Sequence, residues 1–222
     1  MKIKNILATA TLVLASSTAS AAMITQFGDN VSYTYDDSTA FGTGFVLGDA
    51  LFFTPASFLA ESVDGAGIDT ITATLNIDVL AATSGYRLTS FSLSEEGDYR
   101  QRGSGASVAV DAFFSATSLT TLCGPYRPCR DTVFFDAGTF ADTNASLAPW
   151  GVAGSLDLSW GSDTNVRLTV QNTLTAETLA SREIAFIQKK FVIIVPEVPV
   201  PAAVWLFGSG LIGLIAVARR KA

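Results

Sequence analysis

Thr70-Ile71-Thr72-Ala73-Thr74-Leu75-Asn76-Ile77-Asp78-Val79 is the stretch whose reading decides the fold. Ile71, Ala73, Leu75, Ile77 and Val79 share one parity, and Thr70, Thr72, Thr74, Asn76 and Asp78 the other. Successive side chains of an extended chain point to opposite faces, so this is a strand with one dry face and one wet face. The same alternation returns in Leu156, Leu158 and Trp160 against Ser155, Asp157 and Ser159, and again in Val166, Leu168 and Val170 against Arg167, Thr169 and Gln171. Gly161-Ser162-Asp163-Thr164-Asn165 between those two runs reads as the loop of a hairpin.

Working outward, further strands are expected over 31–35, 44–53, 86–93, 107–114, 132–135 and 181–194. The 86–93 segment slips phase, with Tyr86 and Leu88 on one parity and Phe91 and Leu93 on the other, which a bulge near Ser90 would correct. No long helical periodicity precedes Ala202, which argues against parallel βαβ architecture. Roughly eight to ten strands with Gly, Asp and Ser turns predict an all-β fold, an antiparallel β-sandwich of jelly-roll-like kind, over residues 22–195.

Charge and composition narrow the function. The chain of 222 residues carries −6, but residues 22–195 hold nine Lys/Arg against nineteen Asp/Glu, a net of −10. An acidic body argues against nucleic acid, whose phosphates need a basic patch. There is no histidine, which excludes Ser-His-Asp and Cys-His catalysis and disfavours zinc. No cofactor and no metal site is expected.

Both ends read as addresses. Lys2 and Lys4, the apolar run Ile6–Ala15, and Ala19-Ser20-Ala21 before Ala22 occur in the order of a secretory signal peptide, with residues 1–21 removed by cleavage between Ala21 and Ala22. At the other end, 196–201 (Pro196-Glu197-Val198-Pro199-Val200-Pro201) is a proline-spaced linker in which no regular helix can run. From Ala202 to Ala218 there is no charge, and as a helix those residues extend about 26 Å, at the short limit for a bilayer core. Trp205 suits an interfacial belt, Ser209 and Gly213 form a small-xxx-small pair, and Arg219, Arg220 and Lys221 form a basic stop. Residues 202–222 are therefore expected to be a single transmembrane helix with a basic tail.

Val198-Pro199-Val200-Pro201-Ala202-Ala203-Val204-Trp205-Leu206-Phe207-Gly208-Ser209-Gly210, followed by apolar residues and Arg219-Arg220-Lys221, resembles the PEP-CTERM sorting signal. One departure is visible: Val198 separates Glu197 from Pro199, so Pro-Glu-Pro is not contiguous. The resemblance implies an exported protein of a Gram-negative bacterium. It would be handled by the export machinery and by exosortase, a transpeptidase-like membrane enzyme. It would pass through the inner membrane to the cell surface or extracellular matrix, in association with exopolysaccharide and biofilm. The tail is then a substrate for processing, with no chemistry of its own.

Within the body, Cys123-Gly124-Pro125-Tyr126-Arg127-Pro128-Cys129 reads as a local disulfide clasping a loop, which sets Tyr126, Arg127 and Arg130 on a rigid tip. It is either a recognition loop or a stapled surface loop without ligand. Glu95, Glu96 and Asp98 read as a solvated acidic turn; a glycosidase would need two carboxylates facing each other across a cleft. Asp36-Asp37 and the acidic residues of 64–69 read as acidic turns, with Ca²⁺ ligation as the alternative. The pairs Phe52-Phe53, Phe113-Phe114 and Phe134-Phe135 place one ring on each sheet face, for core packing or for stacking on a sugar. The expectation is a non-enzymatic surface or matrix protein. The alternatives are a carbohydrate-binding β-sandwich module and, more remotely, a glycoside hydrolase working with Asp and Glu alone.

Overall fold

The alternating stretch is the centre of strand β6 (Gly67–Ala81), and Leu75, Ile77 and Val79 are fully buried while Thr70, Thr72 and Asn76 are exposed. In this computed structural model, which describes residues 23–82 and 85–197, β6 lies in a sheet ordered β1-β2-β6-β11-β8-β9. Its members are β1 (Met23–Phe27), β2 (Val31–Asp36), β8 (Ser107–Gly124), β9 (Arg127–Asp136) and β11 (Asn165–Thr178). The second sheet, ordered β10-β7-β12-β4-β3, comprises β3 (Phe45–Leu47), β4 (Ala50–Phe53), β7 (Ser90–Arg102), β10 (Ala148–Asp157) and β12 (Ile184–Glu197). Strand β5 (Leu59–Val63) pairs the first half of β12 on the flank that β4 occupies further along. Every pairing is antiparallel.

The inward rows of the two sheets meet in one core that includes Tyr33, Phe53, Phe58, Phe91, Phe114, Leu168 and Ile187. Each such apolar side chain contributes about 1.5–3 kcal/mol on leaving water. The described residues are thus an all-β, two-sheet antiparallel sandwich. The expected signal peptide with Ala19, Ala21 and Ala22, and the tail from Val198 onward, lie outside the described residues.

Several local expectations are corrected. Residues 155–160 and 166–171 do not form a hairpin: β10 pairs with β7, whereas β11 pairs with β6 and β8, so 161–165 carries the chain from one sheet to the other. The 44–53 segment is a hairpin of β3 and β4, turning at Gly48 with φ +61°. The phase slip at 86–93 is not a bulge. Leu88 makes an isolated bridge to Asp163, and the regular strand begins at Ser90. The bulge lies instead in β12, between Lys189 and Phe191. It resets parity there: Ala185, Ile187 and Lys189 point inward before it, and Val192 and Ile194 after it.

Strand β12 also takes in Pro196 and Glu197, the first two residues of the segment expected to be a free linker. Pro196 fits because the Glu197 carbonyl accepts the Thr89 N–H at 3.2 Å. Glu197 therefore turns its backbone groups toward β7 and Pro196 turns its own the other way, past the last β4-paired residue, Ile194. No ladder bond is lost through the missing N–H.

Asp163 fastens the crossover. Its carboxylate, 1 % exposed, accepts hydrogen bonds from the Ser118 and Thr120 hydroxyls and from the backbone N–H of Thr164 (2.7 Å) and Asn165 (3.2 Å). Burial pushes the carboxyl pKa up, but those donors together outweigh it and hold it below its ordinary value. Asp163→Asn places an amide among donors, with an expected loss of about 1–3 kcal/mol. The folded-state value is the depressed one, so the wild-type advantage is present above the ordinary 3.8 and fades as pH falls through the lowered value. Urea unfolding of both chains from neutral to acid pH should show the two stabilities converging.

Candidate functional site

Parity brings three polar residues into the core. In β7 the inward row set by Phe91 and Leu93 continues to Glu95, Gly97 and Tyr99. In β11 the row Val166, Leu168, Val170 continues to Asn172 before Leu174 and Ala176. In β12 the row Ala185, Ile187 continues to Lys189. Glu95 and Lys189 belong to one sheet and Asn172 to the other, and none is more than 1 % exposed.

Their heads converge on one oxygen. Lys189 Nζ lies 2.6 Å from Glu95 Oε2, and Asn172 Nδ2 donates to the same Oε2 at 2.7 Å. Around the ammonium stand the rings of Phe41, Phe58 and Trp150, with Nζ 5.7, 5.6 and 5.9 Å from their centroids. Glu95 Oε1 and Asn172 Oδ1 are buried without a hydrogen-bond partner. Burial pushes the Lys189 pKa down from 10.5 to about 8, against the pull of Glu95. Gly97 leaves room for this arrangement: the Trp150 indole N–H donates to the Gln188 carbonyl at 3.0 Å, and a Cβ at Gly97 would stand 1.9 Å from that carbonyl oxygen.

The acidic residues Glu95, Glu96 and Asp98 are therefore not a turn. They occupy the middle of a 13-residue strand, and alternation sends Glu95 inward and Glu96 outward. Asp98 also faces out and pairs with Lys190. The charge that meets Glu95 is a lysine and not a second carboxylate, so the two-carboxylate arrangement of a glycosidase is not assembled here. Extending the Phe91/Leu93 parity by one step would have found Glu95 in the sequence. Its meeting with Asn172 and Lys189 has no local signal.

The disulfide Cys123–Cys129 closes the β8–β9 hairpin. Pro125 and Tyr126 form its two-residue turn, with Pro at the second position and φ +60° at Tyr126, the pattern of a type II turn. Tyr126 is 94 % exposed, while Cys129 is buried. Arg130 turns back along the outer face, donating to Ser115 Oγ at 3.3 Å and lying over the Phe113 ring. Phe113 is paired in register with Phe134, centroids 5.2 Å apart, and Phe134 is 75 % exposed.

Between β6 and β11 the wet face is a ladder of cross-strand bonds: Thr70–Thr175, Thr72–Thr173, Thr74–Gln171, Asn76–Thr169 and Asp78–Arg167. The carboxylates considered for Ca²⁺ are engaged by other groups: Asp36 accepts from Ser38 within its turn, Asp64 from the Arg182 N–H, and Asp69, which stands in β6 and not in a turn, from the Glu61 N–H of β5.

The class defined by these residues is a two-sheet all-β sandwich with an ionic cluster buried between its sheets. No family model and no curated protein matches the sequence. Among solved structures, the infectious bursal disease virus Gt strain aligns at 12 % identity and a TM-score of 0.41, covering 83 % of this chain and 42 % of that one. The Gx strain of the same virus aligns at 14 % and 0.31 over 67 % and 40 %. The enzymatically active domain of bacteriophage CBA120 tailspike protein 4 aligns at 7 % and 0.27 over 81 % and 20 %. This chain spans less than half the length of each, and TM-scores this low do not establish a common fold.

Lys189→Met strands Glu95 as a buried, unpaired carboxylate and should cost about 3–5 kcal/mol. Replacing the cluster together, with Glu95→Leu, Asn172→Leu and Lys189→Met, should cost less than the single change, because no charge or amide is left unpaired. Urea unfolding of the two variants against wild type checks the order.

Proposed function

We propose that the chain is an exported surface or matrix protein, delivered through a C-terminal signal of PEP-CTERM type and processed by an exosortase-like membrane enzyme. The sandwich is the part that works outside the cell. The observation supporting this reading is in the sequence: the motif beginning Val198-Pro199-Val200-Pro201 follows directly on Pro196 and Glu197, which β12 still pairs with β7. A processing enzyme needs an extended, unpaired backbone, and prolines at 199 and 201 disfavour helix and sheet pairing. A disulfide suits an oxidising compartment, and the ladder-satisfied outer face suits a non-catalytic body. The strand order, with β5-β12-β7-β10 facing β6-β11-β8-β9, supports a jelly-roll reading of the sandwich. A signal peptide over 1–21, a membrane-crossing segment over 202–222 and association with exopolysaccharide complete the reading.

Intact-mass analysis of the protein recovered from its host tests it. The expected product starts near Ala22 and ends at or after Glu197, with Trp205–Lys221 absent. Retention of 205–221 would overturn processing. A C-terminus before Pro196 would cut into the paired strand β12 and contradict processing beyond the body.

A second reading, glycan binding, is favoured by one observation: the exposed ring of Phe134, packed against a half-buried Phe113 that Arg130 covers, a surface on which a sugar ring can stack. If it holds, a glycan array shows dose-dependent binding that Phe134→Ala weakens about tenfold, equivalent to some 1.4 kcal/mol of stacking. An array without binding removes it.

A further inference from the structure

Glu95, Asn172 and Lys189 place an amine, a carboxamide and a carboxylate in contact within the buried core, which is what amide exchange needs. The carboxylate touches both reacting groups through one oxygen, Oε2. Lys189 Nζ and Asn172 Nδ2 can therefore be no further apart than the sum of those two contacts. Water, which would compete as nucleophile and solvate the ammonium, is kept out by the rings of Phe41, Phe58 and Trp150. The positions are fixed by the central strands of both sheets, so little orientation remains to be found.

We propose that Lys189 and Asn172 join in an intramolecular amide bond between the two sheets, with Glu95 as the catalytic proton carrier. The Lys189 ammonium gives a proton to Glu95, and the freed lone pair attacks Asn172 Cγ. The Nζ–Cγ bond forms and the Cγ–Nδ2 bond breaks. Of the two protons lost by Nζ, one passes through Glu95 to Nδ2, which departs as ammonia, and the other stays on Glu95, so no unpaired charge is left beside the new amide. No oxidant, reductant or other reactant is required. Burial that lowers the Lys189 pKa toward neutrality favours the free amine needed for the first step.

The reaction also removes a cost. A buried ammonium–carboxylate pair is exchanged for a neutral amide and a neutral acid, and Asn172 Oδ1 becomes the oxygen of that amide. The new bond ties β12 to β11 across the sandwich. Tension applied at the C-terminal end of β12 would therefore pass covalently into the opposite sheet instead of peeling β12 from β7. This inference stands on the core geometry and is independent of how the tail is processed.

Tryptic mapping of the reduced full-length chain tests it. An amide at Lys189 blocks cleavage there, so 168–182 should appear branched to 183–190. That species is short of one ammonia relative to the two free peptides, whereas a missed cleavage at Arg182 would be short of one water. It should be absent in Lys189→Met and Asn172→Ala, and formed about a hundredfold more slowly in Glu95→Gln, the scale of a lost general acid–base group. Should the variants not fold, the wild-type map decides alone. Free 168–182 together with cleavage after Lys189, persisting after long incubation of the folded chain at mildly alkaline pH, overturns the proposal.

Discussion

The ionic contact between Glu95 and Lys189, at 2.6 Å and sealed from solvent, is the constraint on which the sandwich turns. Isolated, either charge would cost several kcal/mol to bury. Together they are tolerable only while β7 and β12 keep their register and while Asn172 of the facing sheet remains within reach. An apolar core accepts small slips of one sheet over another, whereas a shared carboxylate oxygen does not. The cluster thus fixes the relative placement of two layers that apolar contact alone would leave less specific.

Strand β12 is where these demands converge. It pairs with β7 along one flank and with β5 and then β4 along the other. The bulge after Lys189 lets both halves of the strand present apolar residues to the core, which an unbroken alternation would prevent. It also turns Lys190 and Phe191 outward together. Gly97, opposite Lys189 in register, has no side chain because the Gln188 carbonyl and the Trp150 indole already fill that space. One missing methyl and one extra residue are thus coupled features of the same site.

The outer faces differ. The β6–β11 face spends its polar groups on its own cross-strand pairs, a ladder worth a few tenths of a kcal/mol to about 1 kcal/mol per pair. The β8–β9 end instead presents Tyr126 on a disulfide-closed turn and Phe134 on an open surface. Closing so short a loop adds about 2–3 kcal/mol in the chain-entropy view. Its effect is to hold the hairpin tip in one shape.

By itself the sequence determined what depends on near neighbours. The alternation of 70–79 and 166–171 set strands and faces, the two cysteines six residues apart set a local clasp, and the absence of histidine closed off whole classes of chemistry. Tertiary structure decided which sheet each strand joins, and so turned the expected hairpin at 161–165 into a crossover and the acidic run at 95–98 into the middle of a strand. It also brought Glu95 to Asn172, 77 residues away, and both to Lys189. The reason is physical: a period of two is written into every strand, but pairing partners and the meeting of two faces are chosen by the packing of the whole chain.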